Sequence, residues 1–120
     1  MLADVDDCAQ TLDLVQAEKG TAVCAKVDVA NAASATAMAR TALDAFGRID
    51  ALINNAALYG SLKGGRFDTI AESAWDAAMA VNVKGIWNCC KAVVPAMRQA
   101  GGEVCPGTPG VPWDRSTEFG

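Results

Sequence analysis

The chain has 120 residues, 52% of them apolar, with 14 acidic against 10 basic side chains, no histidine and a formal charge of −4. That length holds one modest domain with a core, and the acidic balance gives no electrostatic footing for nucleic acid or an anionic membrane. The five cysteines show no C-x-x-C or Cys/His spacing, so neither a disulfide framework nor a metal site is indicated, and they are expected to be reduced packing residues of a cytoplasmic protein.

In chain order, Leu2 to Asp4 reads as the stub of a strand. Asp6 or Asp7 can then cap a helix whose apolar positions Cys8, Leu12 and Val15 fall at helical spacing before Gly20 stops it. Residues 22–29 are rich in valine and half-alternating, which predicts a strand, and Asn31 is a plausible N-cap for the alanine-dense helix that follows. Ala35, Ala39, Ala42 and Phe46, with Met38 and Leu43 beside them, form its expected inner stripe, and Gly47 stands where a left-handed stop belongs.

Leu52-Ile53-Asn54-Asn55-Ala56-Ala57 is the pivotal stretch: a short apolar run reading as a buried parallel strand that breaks into two amides and two alanines. Ligands of doubly wound sheets bind at the carboxyl ends of strands, where amides can lock a turn and small residues admit flat rings. A strand followed by an ordinary Asx turn fits the same residues. Residues 58–68 are glycine-rich and read as a surface loop; Thr69-Ile70-Ala71-Glu72 then reads as a capping box. It opens the longest helix, with Trp75, Met79, Ile86, Cys90, Val94 and Met97 on its expected buried stripe. Asn82 lies within or beside that stripe and must find partners, either in a catalytic site or in a neighbouring loop. Gly85, one turn on, marks a place where the helix can bend or be closely approached. Beyond Gly102, prolines and glycines alternate without period, which suggests a disordered tail, a cloning remnant or a shifted reading frame.

Helix–strand alternation with short connections implies a parallel sheet covered by helices. Within it, Asp28-Val29, Asn54-Asn55-Ala56-Ala57, Trp75-Asp76 and Val81-Asn82-Val83-Lys84-Gly85 occur in the order seen in the short-chain dehydrogenase/reductase family. From Met1 to about Gly102 the chain resembles that family, with Ala57 where its N-N-A-G motif has glycine. The resemblance implies an α/β fold: a partial Rossmann-like, doubly wound parallel sheet in three layers, lacking the first strand and glycine-rich turn. Residues 1–102 would be the NAD(P)-binding part and 103–120 an irregular tail. Such a sheet would lack its middle, so the isolated chain is expected to be marginally stable.

The resemblance also implies roles for individual residues. Asp4 matches the acid that accepts the adenosine ribose hydroxyls and would repel a 2′-phosphate, favouring NAD over NADP; an exposed acid in a turn with Asp6 and Asp7 is the other reading. Asp28 and Val29 match positions flanking the adenine, Asn54 one near the adenosine ribose, and Ala56 the close approach of the cofactor. Asn82 matches the catalytic asparagine, which supports a water in the proton relay behind a lysine. The family moves a hydride between nicotinamide and an alcohol or ketone. Its catalytic serine and Y-x-x-x-K are missing: Tyr59 and Lys63 have that spacing, but in a glycine-broken loop before the long helix. An inactive fragment of an oxidoreductase is therefore expected. The long helix, residues 70–98, packs against its copy in homologues, so Trp75, Ile86 and Trp87 are expected to be partly interface in a homo-oligomer. The alternative is a non-catalytic module that self-associates or pairs with a full-length relative through that helix.

Overall fold

The computed structural model describes residues 1–59 and 64–100. Two short strands, β1 (Leu2–Asp4) and β2 (Cys24–Lys26), pair in parallel with Leu2 opposite Cys24 and Asp4 opposite Lys26. Bonds continue the ladder at both ends, from Leu2 N–H to Val23 O and from Val27 N–H to Asp4 O. Between the strands runs α1 (Ala9–Ala17), and β2 is followed by α2 (Ala32–Phe46). The predicted strand over 22–29 is thus cut to three residues. Its far end turns where Asp28 Oδ1 accepts the Ala30 N–H at 2.9 Å, an Asx turn that competes with the ladder.

Local chemistry sets the helix ends. Asn31 caps α2, its Oδ1 accepting from the N–H groups of Ala33 and Ser34, and Gly47 at φ 74° closes it with a bond to Leu43 O. Asp7 accepts from Ala9 N–H at the start of α1. The expected capping box does not form: Thr69 Oγ1 donates to Arg66 O inside a 3-10 turn (Phe67–Thr69), and helix α3 (Glu72–Met79) begins without a side-chain cap. The 3-10 turn takes up the threonine hydroxyl, which is then not bonded to the start of α3.

The long helix is not uniform. Between α3 and α4 (Gly85–Gln99) the residues Ala80–Lys84 form a π-helical turn. A π turn holds extra chain relative to an α turn and rotates everything after it. The buried rows of α4 are therefore Gly85, Cys89, Val93 and Met97, with Asn88 alongside, whereas Trp75, Met79 and Ile86, expected inside, are 58%, 41% and 43% exposed.

The core lies between α2 and α4: Ala35, Met38 and Ala39 meet Cys89, Val93 and Met97, with Val27 and Ile49 completing the cluster. Phe46, predicted on the inner stripe of α2, is 39% exposed, because it lines an open cleft at the end of α2.

Residues 52–57 do not form the predicted buried strand; Ile53 is 87% exposed, and no backbone–backbone hydrogen bond among the described residues involves 51–57. An extended run becomes a strand only beside a partner. Here the neighbouring space is a cleft of about 570 Å³ bounded by Met1 and Ala3 on one side and residues 48–53 on the other, with Met38, Ala39, Ala42 and Val93 also lining it. In a parallel ladder alternate residues address opposite edges. Leu2 and Asp4 bond toward β2, so the N–H and C=O of Ala3 point away from it, toward the cleft edge.

Cys8 and Cys24, expected to be reduced, are bonded to each other with their Cα atoms 6.2 Å apart, while Cys89 and Cys90 are free. The start of α1 packs beside the start of β2, a proximity that sequence spacing does not reveal. No helix of the described residues is long and apolar enough to cross a membrane. The expected tail, 103–120, lies outside the described residues, as does Lys63.

Candidate functional site

Because β1 and β2 are parallel, their carboxyl ends share one edge of the sheet, and the acids at both ends face the same side of the molecule. Asp4 closes β1, and its Oδ1 accepts the Asp6 N–H at 3.1 Å. Asp28 lies two residues beyond β2; its Oδ1 accepts from Ala30, and its own N–H donates to Ser34 Oγ at 3.0 Å. Both side chains are exposed, and each uses one carboxylate oxygen on its own turn, so the second has no protein partner among the described residues. Fixed, half-satisfied carboxylates of this kind can accept hydroxyl or amine donors from a ligand.

The helix α3–α4 holds the remaining candidates in place. Asn82 sits in the π turn, with its Oδ1 accepting Leu58 N–H at 2.7 Å and its Nδ2 donating to Leu58 O at 3.4 Å. Of the two fates open to this amide, a neighbouring loop takes up both of its ends here. The clamp fixes the chain just after Asn54-Asn55-Ala56-Ala57. Asn54 Nδ2 reaches Cys90 Sγ at 3.6 Å, and Ala56 is exposed, open to the approach of a flat ligand. Tyr59 is 76% exposed.

Sequence reasoning missed Asn88. It is 3% exposed, and its Nδ2 donates to Val29 O at 2.9 Å and Ala30 O at 3.3 Å. Its Oδ1 is buried without a protein partner. The signal was present: Asn88 follows Gly85 by three and precedes Ala92 by four, squarely on a buried row. Val29 also packs on Gly85, where a Cβ would lie 2.7 Å from Val29 Cγ2. One helix thus ties three segments, 29–30 through Asn88, Asn54 through Cys90 and Leu58 through Asn82. Asn88→Ala is expected to cost about 1 kcal/mol for each carbonyl it releases and to speed amide exchange around residue 30, measured by urea unfolding and hydrogen exchange.

Burial, and secondarily the neighbouring Cys90, push the Cys89 thiol above its ordinary value, so it stays protonated and unreactive. No cluster of three or more His, Cys, Asp or Glu side chains converges as a metal site would among the described residues.

A parallel strand pair flanked by helices makes this an α/β protein, with two acids at the carboxyl end of the pair and Asn82 in a π turn. The short chain dehydrogenase family profile matches residues 1–105, and the chain belongs to that family. It is 36% identical over 90 residues to a hydroxy(phenyl)methyl-succinyl-CoA dehydrogenase subunit of Thauera aromatica, covering 75% of this chain and 35% of that one. It is 35% identical over 108 residues to 2-(R)-hydroxypropyl-CoM dehydrogenase of Xanthobacter autotrophicus, covering 86% and 43%. Among solved structures it is similar to a short chain dehydrogenase/reductase of Burkholderia phymatum in complex with NAD, with a TM-score of 0.77, 33% identity and coverage of 82% and 35%. The chain therefore spans well under half the length of these relatives.

Proposed function

We propose that these 120 residues are part of an NAD-dependent short-chain oxidoreductase that interconverts a secondary alcohol and a ketone, and that taken alone they do not turn over. The observation that carries this reading is the pair of exposed, turn-fixed carboxylates, Asp4 and Asp28, at one end of the parallel strands. They fit the adenosine half of the cofactor: Asp4 accepts the ribose hydroxyls and would repel a 2′-phosphate, which favours NAD over NADP, while Asp28 and Val29 flank the base. Asn54 and Ala56 border the next part of the path. When bound, NAD supplies the hydride acceptor.

Asn82 corresponds to the asparagine of the family's proton relay. Within these residues its contribution is to hold Leu58, and through it the end of the N-N-A-A turn. No serine-plus-Y-x-x-x-K arrangement on a helix face accompanies it, and the glycine-rich turn that cradles a diphosphate is not in the sequence. We take the cleft beside Ala3 as the place of the sheet's missing central strand and residues 1–102 as the NAD(P)-binding part, in a cytoplasmic protein.

The test is titration of the chain with AMP and with 2′-phospho-AMP by saturation-transfer NMR. AMP should bind weakly and more tightly than the 2′-phosphate. Asp4→Ala should weaken AMP roughly tenfold, as expected for losing a charge-assisted hydrogen bond. Formation of NADH from a panel of secondary alcohols would overturn the claim that the chain alone is inactive.

A second reading, a self-associating module, is favoured by one observation. Trp75, Met79, Val83, Ile86 and Trp87 form an exposed apolar row along α3 and α4, each between 41% and 58% exposed. Exposed apolar rows of this size mark contact surfaces. A mass that rises with concentration in sedimentation, and falls back to monomer in Trp87→Glu, supports a homo-oligomer through the long helix; a monomer at all concentrations excludes it.

A further inference from the structure

Cys8 and Cys24 tie together two parts of the chain that packing holds only weakly. Cys8 is the residue before the first turn of α1, and Cys24 opens β2. Helix α1 buries no side chain, and its Leu14 is 63% exposed. Cys8, 9% exposed, is the only buried residue before Val27. The bond to Cys24 therefore does for α1 what apolar contact does for α2 and α4, whose shared core involves neither of these cysteines. Helix α1 also follows directly on the acidic turn in which Asp4 and Asp7 bond the backbone.

We propose that the Cys8–Cys24 pair is a site of reversible thiol–disulfide exchange with a small thiol of the glutathione class, and that opening it releases α1 while leaving the α2–α4 core intact. Cys24 is half-buried where Cys8 is buried, so the attack is assigned to the Cys24 side of the bond. A glutathione thiolate bonds to Cys24 Sγ, the protein S–S bond breaks, and Cys8 leaves as a thiolate that takes up a proton from water. A second glutathione thiolate then attacks the mixed disulfide, freeing the Cys24 thiol and releasing oxidised glutathione. Two electrons pass from two glutathione molecules to the protein disulfide, and oxidised glutathione reverses the exchange. Cys89, protonated and buried, is a poor competitor.

The experiment equilibrates the full 120-residue chain with reduced and oxidised glutathione at a series of ratios, traps free thiols by alkylation, and maps tryptic fragments. Cleavage at Lys19 and Lys26 separates Cys8 in fragment 1–19 from Cys24 in fragment 20–26, so the disulfide appears as a linked pair of these two. Hydrogen exchange is followed at both ends of the series. The proposal expects the linked pair at the oxidising end and its loss at the reducing end. Amides of α1 should exchange roughly tenfold faster when reduced, as for a locally opened segment, with α2 and α4 within about twofold. Cys8→Ser and Cys24→Ser should each show the fast α1 exchange at every ratio. Absence of the linked pair, unchanged α1 exchange, or loss of α2 and α4 protection together with α1 overturns it.

Discussion

Met97→Ala is expected to lower the unfolding free energy by about 2–5 kcal/mol, the usual result of removing a large side chain from a packed core. Met97 is 5% exposed at the end of the row Gly85, Cys89, Val93 and Met97, packed in the cluster with Met38 and Ala39 of α2. The size of the effect follows from how little else there is. The described sheet has two strands of three residues each, so the α2–α4 seam supplies most of the buried apolar surface. Among the described residues no second buried cluster shares the loss. Urea unfolding followed by far-ultraviolet circular dichroism gives the number, with Val83→Ala as control: that side chain is 54% exposed, and its truncation should stay within about 0.5 kcal/mol. Equal, small effects for both variants would mean that the core is not where the structure puts it.

Gly85→Val should destabilise by about 3 kcal/mol, at the upper end of the overpacking range. Ordinary helix propensity predicts the opposite sign for replacing an interior helical glycine with a side chain such as alanine. Steric contact decides: a Cβ at position 85 would lie 2.7 Å from Val29 Cγ2 and 3.2 Å from Val29 Cβ. The second contact is next to the backbone and cannot swing away, and both side chains would be β-branched and stiff. Relief requires α4 to move off residues 29–30, which would also strain the bonds from Asn88 to Val29 and Ala30. The variant should therefore show faster exchange at residues 28–31 as well as lower stability. A stabilised Gly85→Ala, measured beside it, would show that helix propensity outweighs this contact.

Features carried by local chemistry were legible in the sequence. Asn31 as a cap and Gly47 as a left-handed stop stand where a side-chain hydrogen bond and glycine's freedom put them, and the stub at Leu2–Asp4 is a strand because β2 pairs with it. Asn82 was legible because an amide near an apolar row needs partners, and it has them in Leu58. What depended on distant segments was not legible. The π turn at Ala80–Lys84 resets the phase of α4, so that a helical period drawn straight through it put Ile86 inside; Trp75 and Met79, on α3 before the turn, are exposed as well. Residues 52–57 have the composition of a strand but need a neighbour to become one. The Cys8–Cys24 bond depends on how α1 folds back, and the signal at Asn88, its spacing from Gly85 and Ala92, was passed over because the phase of the helix was misjudged.

The proposal that the cleft beside Ala3 stands where a central strand of the sheet would lie is tested most directly by amide hydrogen exchange. The chain would be measured alone and again with a strand–glycine turn–helix segment from the amino-terminal part of a family relative added in trans. Alone, α2 and α4 should be protected, while Ala3 and residues 51–57 exchange freely; the added segment should bring protection to Ala3 and to 51–57. Protection of 51–57 in the chain alone, or none there after the segment is added, would contradict the account.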